Sequence, residues 1–465
     1  MITNGGAADA RTQELQRGFL GQLLTPQDPD YNEARRVYNA MIDRRPALIA
    51  RCADPQDVAR TIAFAREREL PLAVRGGGHN GAGLGICDDG VVADLSLLNQ
   101  ITVDPEARTA WVGGGCTWGQ VDRATHAHGL ATPSGFISTT GVGGLTLGGG
   151  IGYLTRRYGL TIDNLLEAEL VLADGTQAHA SAEENPDLFW AIRGGGGNFG
   201  VATSFQFALH PVSTVVAGPT FWPLEQTEQV MRAYREFLPG APRELNGFLA
   251  LLTVPPAPPF PEELHLRKVC GIVWCYVGPA ERASEVLAPM LETSEPLMHA
   301  VGPMPYPDFQ SMFDALYPPG LQWYWRADFV RELADEAIDR HAEFGARLPT
   351  LHSTMHLYPI DGAAHDVGQA DTAFSYRDAN WAEVIVGVDP DPANAGAIRQ
   401  WTVDYWDATH PYSAGGAYVN FLMHEGQDRV RTSYRDNYQR LSEVKAAYDP
   451  DNAFHVNQNI APQAR

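Results

Sequence analysis

Three glycine-rich clusters in the first 200 residues constrain what this chain can fold into. They are RGGGHNGAG at 75–83, PSGFISTTGVGGLTLGGGIGY at 133–153 and RGGGGNFG at 193–200. Glycine loses more conformational freedom on folding than any other residue, so such clusters need a structural reason. A flexible linker is the alternative for 133–153, but linkers are polar, whereas this stretch interleaves glycine with Phe, Ile, Val and Leu. The composition favours a packed loop that faces a ligand.

Glycine loops offer their backbone N–H groups to anions. Successive N–H groups form concave nests that hold phosphate oxygens without lysine or arginine. Three such clusters indicate an extended anion with several parts, such as a dinucleotide, rather than a single phosphate. Neither the G-x-G-x-x-G fingerprint with an acid about 20 residues later nor the G-x-x-x-x-G-K-[ST] phosphate loop fits the sequence. The pattern therefore predicts a dinucleotide site on a different fold.

The sequence around these clusters predicts an alternation of strands and helices. Residues 47–75 are typical of a strand, a helix and a second strand, with Asp54 as the helix N-cap and Pro55 at the first helical position. Residues 91–98 and 101–115 are expected to form strands of one small sheet with a turn near Asp104–Pro105, and a hairpin is expected to turn at Asp174–Gly175.

The composition of the chain changes near residue 212, where glycine thins and proline, tryptophan and tyrosine become frequent. A chain of 465 residues exceeds the size of a single hydrophobic core, so two lobes are expected. We predict a first domain at 1–215 and a second lobe of sheet and helices at 216–410. Residues 411–465 mix glycine and asparagine with strand character, and we expect them to return to the first domain.

The charge balance, the N-terminus and the cysteines indicate which partners and which cellular compartment to expect. With 34 basic and 56 acidic residues the formal net charge is −22, which argues against nucleic-acid or membrane partners because both recruit basic surfaces. The N-terminus lacks the basic flank and apolar core of a secretory signal. We expect a cytoplasmic protein, monomeric or homodimeric, with five reduced and mostly buried cysteines. No metal-ligand spacing is present, so no metal site is expected.

The glycine clusters and one further motif resemble the berberine-bridge-enzyme-like FAD-linked oxidases of the vanillyl-alcohol-oxidase superfamily. The matching motifs are R-G-G-G-H-N from Arg75, T-T-G-V-G-G from Thr139, R-G-G-G-G-N-F-G-V from Arg193 and N-Q-N-I from Asn457. The resemblance runs from about residue 35 to 462. It implies an α+β fold, with a two-lobed FAD-binding domain of the PCMH type and a substrate domain whose antiparallel sheet is flanked by helices. Within the family, the chain looks similar to bacterial oxidases of secondary metabolism and of hydroxynicotine.

The resemblance implies how FAD is held. Its histidine, here His79, is joined to the 8α-methyl group of the flavin in this family. Many members add a second link from a cysteine, but the corresponding position here is Ile137, which cannot form a thioether. Cys116, the nearest other thiol, lies about twenty residues upstream and is expected to be structural. The cofactor-binding residues implied are Arg75, Gly76, Gly77, Gly78, His79, Asn80, Gly83, Thr139, Thr140, Gly143, Gly144, Gly148, Gly150, Gly152, Gly200, Val201, Asn420, Asn457 and Asn459.

Candidates for substrate chemistry are fewer and each has a structural alternative. Alcohol or phenol oxidation needs a base near the substrate oxygen. The family's Y-x-N-Y motif reads Tyr418-Val-Asn-Phe421 here, so its second tyrosine is missing, and Tyr418 could equally be a plain strand residue. His356 and Tyr358 alternate on a predicted strand and would share one face, where either could act as the base; a buried core histidine on a sheet is the somewhat favoured alternative. Tyr324 lies in an aromatic cluster that could stack on a substrate or form core.

The function implied is that of an FAD-dependent oxidase. Hydride would pass from an alcohol, phenol or related carbon centre of a small organic substrate to covalently bound flavin. The family's oxygen gatekeeper is Thr140 here, which is small enough for O2 to be the acceptor and H2O2 the product. The alternatives are an oxidase of a carbohydrate or of an amine such as hydroxynicotine, and a flavin-binding protein without turnover.

Overall fold

The described part of the chain, residues 15–463 of a computed structural model, folds into helices and four β-sheets. The strands are β1 (Gln22–Leu24), β2 (Leu48–Arg51), β3 (Leu72–Arg75), β4 (Val91–Asp94), β5 (Ile101–Asp104), β6 (Thr109–Gly113), β7 (Leu130–Ala131), β8 (Leu165–Val171), β9 (Gln177–Ser181), β10 (Val201–Ala208), β11 (His210–Pro211), β12 (Thr214–Pro223), β13 (Leu245–Thr253), β14 (Lys268–Tyr276), β15 (Met298–His299), β16 (Gly302–Pro305), β17 (Gln322–Val330), β18 (Thr354–Pro359) and β19 (Trp381–Asp389). The α-helices are α1 (Tyr31–Ala34), α2 (Pro55–Glu67), α3 (Trp118–His126), α4 (Val142–Gly148), α5 (Thr155–Tyr158), α6 (Pro186–Ile192), α7 (Thr227–Phe237), α8 (Ala283–Leu291), α9 (Tyr306–Gln310), α10 (Asp335–Gly345), α11 (Ala395–Thr409), α12 (Gln427–Tyr434) and α13 (Asn437–Tyr448).

The first sheet, in the order β1-β2-β4-β3, contains the predicted strand–helix–strand unit. The prediction that residues 91–98 share a sheet with 101–115 is wrong, because β4 lies between β2 and β3 and is parallel to both. All four residues of β4 are buried, as expected of a central parallel strand. The side chain of Asp54 caps helix α2 by accepting a backbone hydrogen bond, and Pro55 begins the helix. Val58 and Ile62 bury the inner face of α2 in the core. The prediction for residues 47–75 is confirmed, and β3 leads directly into the first glycine cluster.

The second sheet is antiparallel and has the order β5-β6-β10-β8-β9. Strands β8 and β9 form the predicted hairpin, and Gly175 adopts a φ of +85° in its turn, where a side chain would be strained. The third glycine cluster, 193–200, follows helix α6 and leads into β10. Two of the three glycine clusters therefore begin or end at strands of the first lobe.

The largest sheet is antiparallel and has the order β15-β12-β14-β13-β18-β19-β17, with β16 beside β12. Helices α7, α8, α10 and α11 cover one face, where Met231, Leu287, Ile338 and Trp401 pack with sheet residues such as Leu249. The other face packs in a core shared with the glycine-rich lobe. An antiparallel sheet flanked by helices is the arrangement expected of the second lobe, and the α+β class is confirmed. The domain limits at 215 and 410 stay a prediction.

Two segments differ from their predicted local structure. Residues 390–463, expected to contain strands after 411, carry helices α11, α12 and α13 and no strand. The reason is packing, because Val430 and Tyr434 of α12 and Leu441 and Val444 of α13 bury faces with helical spacing. The stretch 133–153, expected to be a loop, contains the short helix α4. Tyr418 lies at the start of a 3₁₀ turn rather than on a strand.

The described residues also bear on the membrane and export predictions. Between residues 15 and 463, no helix has the length and apolar character needed to span a bilayer. Residues 1–14, on which much of the prediction about secretion rests, lie outside the described residues.

Candidate functional site

A cavity of about 360 Å³ lies between the glycine clusters and the open face of the large sheet. All three glycine clusters contribute to its wall. The opposite wall comes from alternating residues of β17, β18 and β19, because successive side chains of a strand point to opposite faces. These wall residues are Trp323, Trp325, Thr354, His356, Tyr358, Val384 and Val386.

The glycine clusters pack backbone to backbone at one point and face open space at others. A Cβ atom on Gly77 would lie 2.5 Å from the backbone nitrogen of Gly141, and one on Gly141 would lie 2.3 Å from that of Gly77. A side chain at either position would separate the two loops. A Cβ atom on Gly144 or Gly197 would meet nothing within 4 Å, although both residues line the cavity. The cavity therefore presents unhindered backbone, which fits an extended anionic group such as the diphosphate of FAD.

Most of the predicted cofactor-binding residues line this cavity. The lining members are Arg75, Gly76, Gly77, Gly78, His79, Asn80, Thr140, Gly143, Gly144, Gly200, Val201, Asn420 and Asn457. The buried amide oxygen of Asn457 has no hydrogen-bond partner within residues 15–463, although its Nδ2 donates to the carbonyl oxygens of Phe454 and Gly197. An unpartnered acceptor in a cavity wall fits a ligand that donates a hydrogen bond there.

The other predicted cofactor-binding residues do not line this cavity, and they are Gly83, Thr139, Gly148, Gly150, Gly152 and Asn459. A Cβ on Gly83 would meet Ile42, one on Gly148 would meet Asn420, and one on Gly152 would meet the backbone of Ser134. Asn459, like Asn457, has a buried amide oxygen without a partner among the described residues.

Arg75 anchors the first glycine cluster at the end of β3. Its guanidinium forms a buried ion pair with Asp94 at 2.7 Å, and the two residues are register partners at the ends of β3 and β4. Because Asp94 compensates the charge of Arg75, this arginine stabilises the loop more than it attracts an anion.

His79 projects from this cluster with its ring held on two sides. The imidazole stacks on Tyr38 with ring centroids 3.7 Å apart, and its Nε2 lies 3.0 Å from the hydroxyl of Thr139. Burial lowers the pKa of His79 to about 4, so the ring is neutral at pH 7 and keeps a lone pair on one nitrogen. Nε2 lies beside Thr139, whereas Nδ1 has no hydrogen-bond partner among residues 15–463.

No thiol reaches the cavity from the part of the chain that the structure describes. All five cysteines belong to residues 15–463 and are buried and unpaired. None of them belongs to the cavity wall. Ile137 does line the wall, at the position that the family resemblance assigns to a second flavin link. Cys116 is buried, and its Sγ lies 3.8 Å from the carbonyl oxygen of Gln100.

Strand β18 places three polar side chains on the cavity side, as their alternation predicted. The hydroxyl of Tyr358 lies 2.5 Å from Nδ1 of His356, and Nε2 of His356 lies 3.1 Å from the hydroxyl of Thr354. Burial lowers the pKa of His356 to about 3 and raises the pKa of Tyr358 well above its usual range. Both groups are therefore neutral at pH 7. The ring of Tyr358 stacks on Phe136, with centroids 4.1 Å apart.

Tyr418 reaches the same cavity from the C-terminal segment. Its phenol oxygen accepts hydrogen bonds from the N–H of Gly150 at 2.9 Å and from Nδ2 of Asn420 at 2.8 Å. Burial raises the pKa of Tyr418. Phe421, which stands where the family motif has a second tyrosine, also lines the cavity and adds no polar group.

Tyr324 is not brought into the site. It lies on β17 between the cavity residues Trp323 and Trp325, so its ring points to the opposite face of the sheet. There the guanidinium of Arg399, on helix α11, lies 5.2 Å from the ring centroid. Tyr324 is therefore part of the packing between sheet and helix.

Several wall residues were not singled out from the sequence. Trp323, Trp325, Tyr317, Phe136 and Tyr38 all line the cavity. The aromatic cluster at 322–329 was a signal for two of them, and strand alternation separates Trp323 and Trp325 from Tyr324. Alternation alone does not tell which of the two faces meets the cavity.

Comparisons with known proteins agree with this site. Residues 46–181 match a family model described as an FAD binding domain, and residues 417–461 match one described as berberine and berberine like. The FAD-linked oxidoreductase YgaK of Bacillus subtilis (strain 168) is 32% identical over 456 residues, which cover 96% of this chain and 98% of YgaK.

Solved structures confirm the fold. The 6-hydroxy-D-nicotine oxidase of Arthrobacter nicotinovorans superposes with a TM-score of 0.84 at 23% identity, over 96% of this chain and 98% of that one. A glucooligosaccharide oxidase of Acremonium strictum, described as having a 6-S-cysteinyl, 8α-N1-histidyl FAD, superposes with a TM-score of 0.85 at 21% identity, over 98% and 100% of the two chains. These likenesses show the α+β fold, and the family model matched at residues 46–181 shows its FAD-binding domain. With its full-length relative and its cavity, the chain belongs to the berberine-bridge-enzyme-like family of FAD-linked oxidoreductases.

Proposed function

We propose that this protein oxidises an alcohol, a phenol or a related carbon centre of a small aromatic substrate, using FAD attached through His79 and O2 as the electron acceptor. The observation that carries the proposal is the neutral imidazole of His79 in the cavity wall. Its Nε2 lies beside the hydroxyl of Thr139, and its Nδ1 has no hydrogen-bond partner among residues 15–463. A covalent bond to carbon needs an uncharged nitrogen lone pair, which Nδ1 supplies in the tautomer whose N–H lies at Nε2 and donates to Thr139.

A single covalent link is favoured over two. The oxidase of Acremonium strictum is described with both a cysteinyl and a histidyl link. In this chain Ile137 occupies the wall where the resemblance expects the cysteine, and no cysteine of the described residues lines the cavity. We therefore propose attachment at Nδ1 of His79 alone.

The residues around the cavity have distinct parts in the proposed reaction. Bound flavin supplies a hydride acceptor, which is the chemistry that the side chains lack. The glycine clusters hold the diphosphate, and the aromatic wall excludes water and orients the substrate. His356, Tyr358 and Tyr418 are the groups available to bind or move a substrate proton. The small side chain of Thr140 in the wall supports access of O2, with H2O2 as the product.

The composition of the wall favours a neutral aromatic substrate over the alternatives. No Asp, Glu or Lys side chain from residues 15–463 lines the cavity. An ammonium group, as in an amine substrate, would be desolvated there without a countercharge. The aromatic side chains of Trp323, Trp325, Tyr317, Phe136 and Phe421 in the wall favour stacking on a flat aromatic substrate.

Acid denaturation of the purified protein tests the proposal. We expect flavin absorbance to stay with the precipitated polypeptide, and digestion to place the added mass on the peptide that contains His79. The variant His79→Ala should release all flavin into the acid supernatant. Flavin that washes out of the wild type, that stays on His79→Ala, or that maps to a cysteine peptide would contradict the proposal.

Peroxide release tests the substrate class. Aromatic alcohols should give H2O2 with the wild-type protein, whereas oligosaccharides and cyclic amines should give little. Turnover of the sugars or amines in preference to the aromatic alcohols would favour the alternative oxidases. A covalent flavin that no substrate of the three classes reduces would favour a protein without turnover.

A further inference from the structure

The hydrogen bonds behind Tyr358 have a fixed direction. They form a chain from Tyr358 to Nδ1 of His356, from Nε2 of His356 to Thr354, and from Thr354 to the carbonyl oxygen of Leu251 at 2.9 Å. A carbonyl oxygen only accepts, so the hydroxyl hydrogen of Thr354 must point to Leu251. The oxygen of Thr354 then accepts, and Nε2 of His356 must carry the hydrogen that it donates.

The tautomer of His356 follows from this chain. A neutral imidazole carries one N–H, and here that N–H is at Nε2, so Nδ1 is the unprotonated acceptor. The hydrogen on the phenol of Tyr358 therefore points at Nδ1. The reverse direction would require Thr354 to donate to His356, and the bond to Leu251 would be lost. Only one arrangement of hydrogens makes all three bonds.

The hydrogen bonds of Tyr418 run in the opposite direction to those of Tyr358. Its oxygen accepts from two donors, the N–H of Gly150 and Nδ2 of Asn420. The orientation of the Asn420 amide is fixed, because Nδ2 also lies 3.1 Å from the carbonyl oxygen of Gly144. With both lone pairs of the phenol oxygen engaged, Tyr418 has only its own hydrogen left to offer a ligand. Tyr358 has its hydrogen engaged and only lone pairs left to offer.

We propose that Tyr358 accepts the hydroxyl hydrogen of the substrate and that His356 takes up the proton through it. This assignment rests on the proposed function and deepens it, because it selects substrates with a free hydroxyl group. Tyr358 is the catalytic residue of the pair, since it touches the substrate. His356 is the proton acceptor behind it, and Thr354 is a positioning residue that holds the His356 tautomer. Tyr418 donates to the substrate or the cofactor and is not the base.

The proposed step balances in atoms and electrons. The C–H bond of the alcohol carbon breaks, and its electron pair leaves with the hydrogen as hydride to the bound cofactor. The substrate O–H bond breaks, and its proton forms a new O–H bond at Tyr358 while the former proton of Tyr358 forms an N–H bond at Nδ1 of His356. The remaining pair of the substrate oxygen forms the C=O bond. The weak basicity of His356 suffices, because an alcohol that has lost hydride is a protonated carbonyl and a far stronger acid than imidazolium.

Binding of phenol and of anisole to the holoprotein tests the assignment without turnover. The two probes have similar shape, neither contains an alcohol carbon, and only phenol can donate a hydrogen bond. Titration calorimetry should give phenol about tenfold tighter binding than anisole in the wild type, the effect of one buried hydrogen bond. In Tyr358→Phe the ring still stacks on Phe136, and the preference should vanish. Tyr418→Phe should keep the preference, because that residue is a donor.

Variants at Thr354 separate positioning from packing. Thr354→Val keeps the shape of the side chain but removes the acceptor of the Nε2–H of His356. His356 can then adopt the tautomer with its hydrogen on Nδ1, facing Tyr358, and the preference for phenol should fall. Thr354→Ser keeps the hydroxyl and should keep the preference. A wild type that binds anisole as tightly as phenol, or that binds neither probe up to its solubility, overturns the assignment, as does a preference that survives Tyr358→Phe. Acid retention of flavin in the same samples reports the proposed function separately, so either can fail while the other stands.

Discussion

Individual glycines in this site have different structural roles, which depend on whether a side chain at that position would meet backbone or open space. Gly77 and Gly141 touch each other through their backbones, so each is required for the loops to meet. Gly144 also lines the cavity, but a side chain there would meet only open space. The first pair holds the two loops together, whereas Gly144 faces the space in which we propose that the cofactor binds.

Alanine substitutions should separate these two roles. Gly77→Ala forces a contact of 2.5 Å with backbone, and we expect it to destabilise the fold by about 1–3 kcal/mol and to abolish flavin incorporation. Gly144→Ala lies within helix α4 and has room, so it should keep or slightly raise the thermal midpoint while the flavin content of the purified protein falls several-fold.

The ratio of flavin to protein absorbance and the thermal unfolding midpoint together measure both effects. If Gly144→Ala incorporated flavin as fully as the wild type, the cofactor would not lie against that residue. If Gly77→Ala were as stable as the wild type, the contact with Gly141 would be more yielding than its geometry implies.

At the scale of the element, one face of strand β19 lines the cavity and its other face packs against the helices. Val384 and Val386 line the cavity, whereas Ile385 packs with the helices on the other side. Glu383 also points to the helix side, where it is buried and its Oε1 accepts a hydrogen bond from Thr409 at 3.0 Å. Burial, together with the charge of Asp328, raises the pKa of Glu383 to about 8.

This carboxyl makes stability depend on pH. Its ordinary pKa is 4.5 and its folded pKa is about 8, so the folded protein holds a proton that the unfolded chain releases. The resulting stabilisation is fully present below pH 4.5 and is lost as the pH rises to about 8, by up to about 1.4 kcal/mol per pH unit. Glu383→Gln keeps a neutral side chain at every pH and should flatten this loss.

Urea unfolding at pH 5 and pH 9 checks the prediction. We expect the stability difference between the two pH values to be smaller in Glu383→Gln than in the wild type. The exposed Glu183→Gln is the control and should leave the difference unchanged. An equal pH dependence in wild type and Glu383→Gln would mean that Glu383 is ionised in the folded protein.

At the scale of the whole molecule, the cavity exists only because two lobes are held against each other. Arg156 of helix α5 contributes to this joint. It forms a buried ion pair with Asp361 at 2.7 Å, just after β18, and donates to the carbonyl oxygen of Leu238 at 2.8 Å. Arg377 and Asp163 form a second buried pair across the same joint.

Removing Arg156 should therefore weaken the whole fold. Arg156→Met leaves Asp361 buried without its partner, and we expect a loss of about 3–5 kcal/mol in the free energy of unfolding. The neighbouring Arg157→Met breaks an exposed pair with Glu244 and should cost less than about 1 kcal/mol. Urea denaturation of the two variants measures the difference. Equal losses would show that the buried pair adds nothing beyond an exposed one.

How far the sequence predicts this molecule depends on how local each signal is. Asp54 and Pro55 predict the start of α2 because capping involves only neighbouring residues. The alternation of His356 and Tyr358 predicts their shared face for the same reason. Tyr324 is placed by contacts with a helix some 70 residues later in the chain, about which its own segment carries no information. The C-terminal helices likewise depend on a core supplied by other parts of the chain.

The chain of hydrogen bonds from Tyr358 ends on the carbonyl oxygen of Leu251, and this has a consequence for how the site can evolve. Every residue has a main-chain carbonyl, so no substitution at 251 removes the final acceptor. A substitution at Thr354, His356 or Tyr358 can interrupt this chain of hydrogen bonds, but none of them reverses the direction in which the hydrogens are donated. A descendant enzyme that needed a hydrogen-bond donor at this wall would have to lose this chain of hydrogen bonds and place a different donor side chain there.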